Sequence, residues 1–340
     1  MIADTELAVA AYDLVKTYPD GITALDGLTV EVRAGEVFGM LGPNGAGKST
    51  AIKILTTLAR PDSGRAVVNG HDVLRHPDRV RRGIGVVAQR SGADPPATGR
   101  DNLMLQGRLY GMGGSRLEQR VAELLDRFGL AEAADRAVRT YSGGMQRRLD
   151  VALGLVHRPH VLFLDEPTTG LDPETRAELW AEIGRLAHKG LTILLTTHYL
   201  EEADRLADRI ALVDRGTVVA SGTPDRLKDQ LRGDAVHVEL RSALTEATVP
   251  AVQGVIADLA GIREISVDGR RVSARADDGA AAVPAVLAAL DRAGVQVAAV
   301  TVARPSLDDV YLRHVGRRFA EAEADAGTNA ATLTMTGGSR

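Results

Sequence analysis

The sequence contains no cysteine, and its basic residues do not outnumber its acidic ones. The absence of cysteine excludes disulfide bonds and cysteine-ligated metals, and it fits a reducing cytoplasm. The 41 lysine and arginine residues stand against 45 aspartate and glutamate residues, which gives a net charge of −4. A nucleic-acid-binding surface usually requires a basic footprint. We therefore expect no nucleic-acid partner.

Long hydrophobic runs are also missing, because no apolar stretch approaches the roughly eighteen residues that a membrane-spanning helix needs. The alanine- and valine-rich stretch at residues 283–302 is interrupted by Pro284, Asp291 and Arg292. Residues 1–6 are acidic and lack the basic segment that opens a signal peptide. We therefore expect that this protein does not itself form a membrane pore.

Residues 42–49 read Gly-Pro-Asn-Gly-Ala-Gly-Lys-Ser and match every fixed position of G-x-x-x-x-G-K-[ST]. In this phosphate loop, backbone N–H groups cradle phosphates, the lysine reaches the β- and γ-phosphates, and the hydroxyl binds Mg²⁺. A strand pattern at 36–41 precedes the loop and a helical pattern at 50–55 follows it, which favours anion binding at the helix N-terminus. Gly45 and Gly47 are expected to adopt positive φ. The alternative, an ordinary turn beside a solvated lysine, does not explain this context.

A second buried-strand pattern, residues 161–164, ends in Asp165 and Glu166. Ligands of open α/β sheets bind at the carboxyl ends of the strands. We expect Asp165 to bind the Mg²⁺ that Ser49 coordinates, and Glu166 to orient or deprotonate the attacking water. Such a pair in isolation is more often a polar strand ending. The phosphate loop favours the catalytic interpretation, because it needs a metal site beside it.

A second glycine-rich motif, Tyr-Ser-Gly-Gly-Met at residues 141–145, precedes the acidic strand. Together with the phosphate loop, it resembles the L-S-G-G-Q signature of the ATP-binding subunits of ABC transporters. Gln89, Asp172 and His198 match the Q-loop glutamine, D-loop aspartate and switch histidine of that family. Tyr18 lies where the family places an aromatic residue that stacks on adenine.

The resemblance covers about residues 6–230 and implies an α/β P-loop NTPase (ABC ATPase) fold with ATP and Mg²⁺ as cofactors. It implies that two copies pair head to tail, so that each ATP contacts the phosphate loop of one copy and the signature of the other. Ser142 and Gly144 lie at the start of a predicted helix, so their hydroxyl and N–H groups can contact the γ-phosphate. ATP then closes the dimer and hydrolysis releases it. The resemblance also implies a separate membrane permease as a further partner, and hence a peripheral protein at the cytoplasmic face of the cell membrane.

These arguments give three groups of site residues. The expected catalytic residues are Glu166, His198, Gln89 and Lys48. The expected metal ligands are Ser49, Gln89 and Asp165. The expected nucleotide contacts are Tyr18, Gly42, Pro43, Asn44, Gly45, Ala46, Gly47, Lys48, Ser49, Thr50, Ser142, Gly143, Gly144 and Asp172.

Several of these residues have a simpler structural interpretation. An isolated His198 would more often be a hydrogen-bonded surface histidine, and Tyr18 can be ordinary packing before a turn. Gln89 can cap its strand, and Arg90 beside it has no assignable role. Asp172 can cap the helix after it, because Asp followed by Pro is a favoured helix opening, and it can serve both purposes.

The order of elements predicts three pieces. Residues 6–90 and 158–225 alternate strands and helices like a nucleotide-binding core, and residues 98–157 are mainly helical, as in the family's inserted helical subdomain. Residues 91–97 form a loop that is either a hinge and partner-docking element or a passive connector. Residues 235–316 then form a small α+β domain, and residues 319–340 are expected to be disordered.

The small domain contains no catalytic constellation, so dimer support or regulation is the expected role. It resembles the accessory C-terminal domain of drug-resistance ATPases, most clearly in its closing pattern at residues 305–312. The secondary-structure patterns in it are strands at 235–240, 265–274 and 295–302 and a helix at 283–293.

The Tyr-Ser-Gly-Gly-Met variant resembles the daunorubicin/doxorubicin-resistance branch of drug-export ATPases. It implies export of a drug- or antibiotic-like compound through a separate permease. An importer, or an exporter of lipid or polysaccharide, would share the same catalytic set. A ribosome- or DNA-directed ABC ATPase would show two cassettes or a long coiled coil, neither of which we find. A non-enzymatic regulatory subunit would lack Glu166 or His198, and both are present.

Overall fold

The structure is a computed structural model that describes residues 7–19, 21–231, 233–245 and 247–324. Contacts between residues divide the chain into two units. Of the described residues, the first unit comprises those up to Pro224 together with residues 319–324, and the second comprises those within Asp225–Arg318. Among the described helices, none has both the length and the hydrophobicity needed to cross a bilayer.

The first unit alternates strands and helices, as predicted. Its strands are β1 (Leu7–Thr17), β2 (Thr23–Arg33), β3 (Val37–Leu41), β4 (Ser63–Val68), β5 (His71–Asp72), β6 (Ile84–Val87), β7 (Val161–Asp165), β8 (Thr192–Thr197), β9 (Arg209–Asp214) and β10 (Thr217–Gly222). Its α-helices are α1 (Lys48–Leu55), α2 (Pro77–Gly83), α3 (Gly99–Leu109), α4 (Gly114–Arg127), α5 (Gly143–Leu155), α6 (Pro173–His188) and α7 (Leu200–Leu206), with a 3₁₀ turn at Val138–Thr140.

The central sheet has six strands in the order β10-β9-β3-β8-β7-β6, and all neighbours are parallel except β10 and β9. Strands β3, β7 and β8 are buried along their whole length. Leu162 and Leu164 of β7 belong to one hydrophobic cluster, and Val161 and Phe163 belong to another. Both faces of the sheet are therefore covered, which is why the central positions of these strands are apolar. Their carboxyl ends share one edge, where the site lies.

An antiparallel sheet, in the order β2-β1-β4-β5, forms the rest of the strand framework of this unit. The helical segment predicted at 98–157 is observed as α3, α4 and α5. The apolar stripe of α4 is buried as its spacing predicts, with Leu117, Val121, Leu124 and Leu125 at 2% exposure or less.

The loop at residues 91–97 is tied to the helices on both sides of it. The Ser91 hydroxyl donates to the Asp150 carboxylate on α5 (2.7 Å), and the Gly92 N–H donates to the same oxygen (3.2 Å). The Asp94 N–H donates to the Asn102 amide oxygen on α3 (2.7 Å). The loop is thus held by specific side-chain contacts.

Helix α8 (Pro224–Asp229) begins where the first unit ends. The second unit contains an antiparallel sheet in the order β12-β13-β11-β14. Its elements are β11 (Asp234–Leu240), α9 (Val249–Ala257), β12 (Ile262–Asp268), β13 (Arg271–Ala276), α10 (Gly279–Arg292), β14 (Val297–Ala303) and α11 (Leu307–Val315).

Three predicted boundaries in this unit differ from the structure. The strand pattern at 265–274 is a hairpin of two strands, because Gly269 turns the chain at φ 53°. Helix α10 begins at Gly279, four positions before the predicted start at 283, because the Asp278 carboxylate accepts the Ala281 N–H and caps it. The strand predicted to begin at 295 begins at Val297.

The disorder predicted for residues 319–340 is wrong for residues 319–324. These residues are helical and belong to the first unit, with Phe319 at 3% and Ala322 at 2% exposure. Burial of the two apolar side chains opposes the entropy of this otherwise disorder-prone composition. Residues 325–340 lie outside the described part of the chain.

Candidate nucleotide-binding and catalytic site

The phosphate loop connects β3 to α1 at the carboxyl edge of the sheet. Gly45 and Gly47 have φ angles of 78° and 103°, as predicted. A side chain at Gly47 would place its Cβ 2.3 Å from the Ala24 carbonyl oxygen, so this position requires glycine for space as well as conformation. The Asn44 side chain at the tip of the loop is exposed. The loop is therefore exposed at its tip, at Asn44, and closely packed at Gly47, before α1.

Lys48 is the buried cation of the loop, with only 4% of its surface exposed. Its Nζ donates to the carbonyl oxygens of Gly42 (2.6 Å) and Pro43 (3.1 Å) and lies 3.5 Å from Glu166 Oε1. Burial lowers the pKa of Lys48, and the Glu166 carboxylate opposes that shift. A phosphate arriving at Lys48 would replace weak carbonyl acceptors with a charged one.

Asp165 lies at the end of β7 and receives two hydroxyl hydrogen bonds on Oδ1. Ser49 Oγ of the phosphate loop donates at 3.0 Å, and Thr196 Oγ1 donates at 2.6 Å. Thr196 Oγ1 also accepts the Glu166 N–H at 3.0 Å. Sequence reasoning missed Thr196, although its position near the end of an apolar strand, two residues before His198, was a usable signal. The parallel pairing of β7 with β8 sets Asp165 opposite Thr196.

Glu166 is the centre of the site, and it is 6% exposed with φ at 48°. Its carboxylate lies 3.3 Å from His198 Nδ1 and 3.5 Å from Lys48 Nζ. Gln89 Nε2 donates to Oε2 at 3.1 Å, and the Thr169 hydroxyl donates to the same oxygen at 3.2 Å. Burial alone would raise the pKa of Glu166. The contacts with His198 and Lys48 outweigh burial and hold that pKa at about 2.

His198 follows β8 and stacks at a tilt on Tyr199, with ring centroids 4.1 Å apart. Its Nδ1 lies 3.3 Å from Glu166 Oε2 but is not aligned for a hydrogen bond in this arrangement. On the other side, Nε2 lies 3.9 Å from Glu323 Oε1 of the 319–324 segment. Glu323, which sequence reasoning did not place here, adds a negative charge that also acts on Lys48.

The signature residues form an exposed helix N-terminus. Ser142 caps α5 by accepting the Met145 N–H at 3.2 Å, and both Ser142 and Gly143 are exposed. Gly144 is buried, and a Cβ there would lie 2.4 Å from Thr175 Cγ2. Tyr141 stands at the position where the family signature has leucine. It is buried, and its hydroxyl donates to the Ala133 carbonyl at 2.6 Å. The tyrosine thus has a packing role that leaves the Ser-Gly-Gly centre free.

Tyr18 and Asp172 have partners that bear on their structural alternatives. The Tyr18 hydroxyl lies 3.4 Å from the Thr50 hydroxyl, which places Tyr18 beside the first helix after the phosphate loop. Asp172 caps α6 by accepting the Thr175 N–H (3.0 Å) and hydroxyl (2.7 Å). The capping interpretation of Asp172 is therefore observed, and its role toward nucleotide stays a prediction.

Ser49 and Asp165 present hard oxygen ligands side by side, and Gln89 keeps its amide oxygen while its N–H group binds Glu166. Among the described residues, no group of three His, Cys, Asp or Glu side chains could hold a metal ion alone. This donor set fits Mg²⁺, which uses one or two protein carboxylates and completes its shell with phosphates and water.

Two family models match the chain. The model for "ABC transporter" matches residues 25–169, and the model for "ATP-binding protein DrrA1-3-like, C-terminal domain" matches residues 222–315. A daunorubicin resistance ATP-binding protein, DrrA3 of Streptomyces coeruleorubidus, is 48% identical over 94% of this chain and 100% of its own. The daunorubicin/doxorubicin resistance ATP-binding protein DrrA of Streptomyces peucetius is 47% identical over 91% of this chain and 92% of its own.

Solved structures show the same fold. One is described as the dimeric structure of a post-hydrolysis state of the ATP-binding cassette MJ0796 bound to ADP and Pi. It has a TM-score of 0.59 and 27% identity, and the match covers 63% of this chain and 98% of the other. Another, the ATP-binding subunit of an ABC transporter, has a TM-score of 0.60 and 30% identity over 66% of this chain and 93% of the other. The chain therefore belongs to the ATP-binding proteins of ABC transporters, in the DrrA-like family.

Proposed function

We propose that this chain hydrolyses Mg²⁺-bound ATP in sites shared by two copies of itself, and thereby powers export of a drug-like compound through a separate membrane permease. The single observation that carries the ATPase proposal is the convergence of four side chains on the Glu166 carboxylate. Lys48, Gln89, Thr169 and His198 all approach it within 3.5 Å.

The catalytic roles follow from the charges around Glu166. Lys48 and the loop N–H groups bind the β- and γ-phosphates, and Ser49 and Asp165 hold Mg²⁺, with Gln89 as a further ligand. Glu166 and His198 position the attacking water. A carboxylate with a pKa of about 2 is a weak base. When a phosphate binds Lys48, Glu166 loses the Lys48 contact that lowers its pKa and gains a negatively charged neighbour. Both changes raise the pKa of Glu166, so its carboxylate becomes a stronger base.

The shared site rests on the exposed N-terminus of α5. Ser142 and Gly143 face outward, and the described hydrogen bonds of Ser142 lie within its own helix. An exposed helix N-terminus binds anions through its N–H groups and dipole. In the proposed dimer, this end of α5 contacts the γ-phosphate held by the phosphate loop of the other copy. Asp172 then lies at the interface between the two copies, and Tyr18 stacks on the adenine.

The permease is proposed to dock on the helical part of the first unit, at the cytoplasmic face of the membrane. A cavity of about 550 Å³ lies beside the 91–97 loop and is lined by residues of α3 and α4. Leu105 and Leu109 on α3 are 54% and 73% exposed. Exposed leucines beside a cavity lined by both apolar and charged side chains offer apolar surface to a protein partner. This arrangement supports the partner-docking interpretation of the loop over the passive connector.

Relatives narrow the class of transported compound. The relatives at 47–48% identity are named for resistance to daunorubicin or doxorubicin, both drugs. A linearmycin resistance protein of Bacillus subtilis is 34% identical, and a Nod factor export protein of Ralstonia nicotianae is 38% identical. The higher identity favours an anthracycline-like drug as substrate, with a Nod-factor-like compound as the second candidate.

Two experiments test the proposal. Tagged Glu166→Gln protein, incubated with ATP in its native membranes, should retain a multi-span permease on affinity purification. Ribosomes, DNA or no membrane protein would overturn the transporter role. Inside-out vesicles containing that permease should then accumulate daunorubicin in an ATP-dependent manner with wild-type protein and not with Glu166→Gln. Vesicles that accumulate none with either protein would overturn the choice of drug and leave the ATPase assignment intact.

A further inference from the structure

Arg147 on α5 is a buried arginine whose guanidinium binds main-chain carbonyls from two other segments. It is 8% exposed. Its Nε donates to the Pro167 carbonyl (2.6 Å), Nη1 donates to Ala88 (2.6 Å), and Nη2 donates to Asp165 and Glu166 (both 3.1 Å). Sequence reasoning assigned no role to this residue.

These four carbonyls belong to the catalytic segments. Ala88 immediately precedes Gln89, and the other three follow one another through Asp165 and Glu166. Glu166 has φ at 48°, a left-handed conformation that is strained for a non-glycine residue and persists only where the surroundings hold it. Thr196 holds the N–H side of Glu166 through its hydroxyl and carbonyl oxygens. Arg147 holds the carbonyl side.

The arrangement requires the shape of arginine. A planar guanidinium has five N–H donors in a fixed fork, so one side chain can bind carbonyls of separate segments at once. A lysine ammonium is a compact point charge and cannot span the same set. Burial opposes the charge of Arg147, and nearby carboxylates such as Asp150 and Asp165 compensate for it. The buried charge of Arg147 thus lies where its guanidinium can hold the main chain of Glu166 and of the residue before Gln89.

We propose that Arg147 is a positioning residue for ATP hydrolysis, which fixes the main chain of Glu166 and Gln89 relative to the signature helix. This inference rests on the proposed shared-site ATPase. Arg147 lies one helical turn after Gly143, so the end of α5 that would contact the partner copy's nucleotide is linked through Arg147 to the main chain of Glu166 in its own site. A shift of α5 on dimer closure is transmitted to Glu166 through these hydrogen bonds.

The test compares Arg147→Met with Arg120→Met in the full chain. Arg120 is an apt control because it is 9% exposed and its guanidinium also donates to carbonyls, those of Leu155 (2.7 Å) and Val156 (3.2 Å), away from the site. Both variants should lose comparable thermal stability. Arg147→Met alone should lower kcat by about 100-fold, because small misplacements of catalytic groups cost that much. Its ATP affinity, set by the phosphate loop, should change less than about threefold.

A double-mutant cycle with Glu166→Gln separates positioning from general structural damage. If Arg147 acts through Glu166, Arg147→Met should lower the residual turnover of Glu166→Gln by less than about threefold, whereas independent effects would multiply. The double variant should still form dimers with ATP, because the phosphate loop and Ser142 are untouched. The proposal would be overturned if the losses of turnover in the two single variants multiplied in the double variant. It would also be overturned if the double variant failed to dimerise with ATP, or if Arg147→Met and Arg120→Met had equal kcat.

Arg147→Lys keeps the inference testable if Arg147→Met does not fold. It retains the positive charge without the fork, so its kcat should remain at least about tenfold below wild type while ATP binding persists. Full recovery of kcat with lysine would overturn the positioning role. Near-normal turnover of Glu166→Gln itself would instead contradict the proposed catalytic function, so the two failures are distinguishable.

Discussion

Lys48 Nζ and Glu166 Oε1 lie 3.5 Å apart, so the cation of the phosphate loop and the carboxylate at the end of β7 form a buried pair. Their side chains are 4% and 6% exposed. Each charge compensates the other, since an unpaired buried charge would be costly. A phosphate that binds Lys48 competes with Glu166 for the ammonium. In the proposed mechanism, the pair would therefore couple nucleotide binding to the protonation and hydrogen bonding of the Glu166 carboxylate.

The most direct consequence concerns Glu166→Gln. Removal of the charge should leave ATP binding intact and lower kcat by about 10²–10⁴-fold, the contribution typical of a positioned base. The variant should accumulate as an ATP-bound dimer, because hydrolysis no longer releases it. Steady-state ATPase assays and size-exclusion chromatography with ATP measure the two effects. Turnover close to wild type would refute the assignment of Glu166.

Thr196→Val tests the hydroxyl that joins Asp165 to the Glu166 N–H. The change preserves shape but leaves the two partners less satisfied, so unfolding free energy should fall by about 1–3 kcal/mol. Turnover should fall at least about tenfold, because Asp165 and Glu166 each lose a hydrogen bond that positions them. The matched control is Thr192→Val at the other end of β8, where the hydroxyl accepts the Gly35 N–H at 2.9 Å. It should lose stability without losing kcat. Equal kcat in the two variants would contradict the role of Thr196.

The lowered pKa of Glu166 predicts a pH-dependent contribution to stability. Because its pKa falls from 4.5 to about 2 on folding, the ionised group stabilises the folded state above pH 4.5. That contribution is lost progressively as pH falls from about 4.5 through the folded pKa of about 2. The difference in unfolding free energy between wild type and Glu166→Gln should therefore shrink between about pH 5 and about pH 2. Fluorescence of Trp180, the one tryptophan, reports unfolding of the first unit. A constant difference would argue against a lowered pKa.

Glu323 should weaken ATP binding, because its carboxylate lies 3.9 Å from His198 Nε2 and repels an incoming γ-phosphate. Glu323→Gln is expected to bind ATP about two- to fivefold more tightly, and the gain should diminish at high salt. Glu321→Gln makes the same charge change two residues earlier and serves as the control. Titration with a fluorescent ATP analogue measures both. Unchanged affinity in Glu323→Gln would mean that this carboxylate does not influence the nucleotide.

The sequence was sufficient to predict what depends on local pattern. Apolar runs identified β3, β7 and β8, and the loop motif identified the phosphate site, because short-range geometry determines both. Local pattern was weaker in the second unit. Alternation at 265–274 continued smoothly through a hairpin turn, since the period of two does not show where a chain reverses at Gly269.

The residues that sequence reasoning missed act through tertiary contacts. Thr196 meets Asp165 only because β7 and β8 pair in parallel with that register. Arg147 reaches carbonyls 18 to 59 positions away in the chain. Glu323 lies in a segment whose composition predicted disorder, yet its helix is held by the buried Phe319 and Ala322. The contacts of Arg147 and Glu323 cannot be read from sequence periodicity, and Thr196 offered only its position near the end of an apolar strand as a signal.

The central claim is that the phosphate loop of one copy faces the signature of another. The cysteine-free chain allows a clean test, in which Asn44→Cys and Gly143→Cys are made separately in the Glu166→Gln background. Both positions are exposed, and a Cβ at Gly143 would have no atom within 4 Å. A short bis-maleimide should link the mixed variants into a dimer with ATP, and neither variant alone. Linkage of one variant to itself, or none in the ATP-bound mixture, would contradict the shared site.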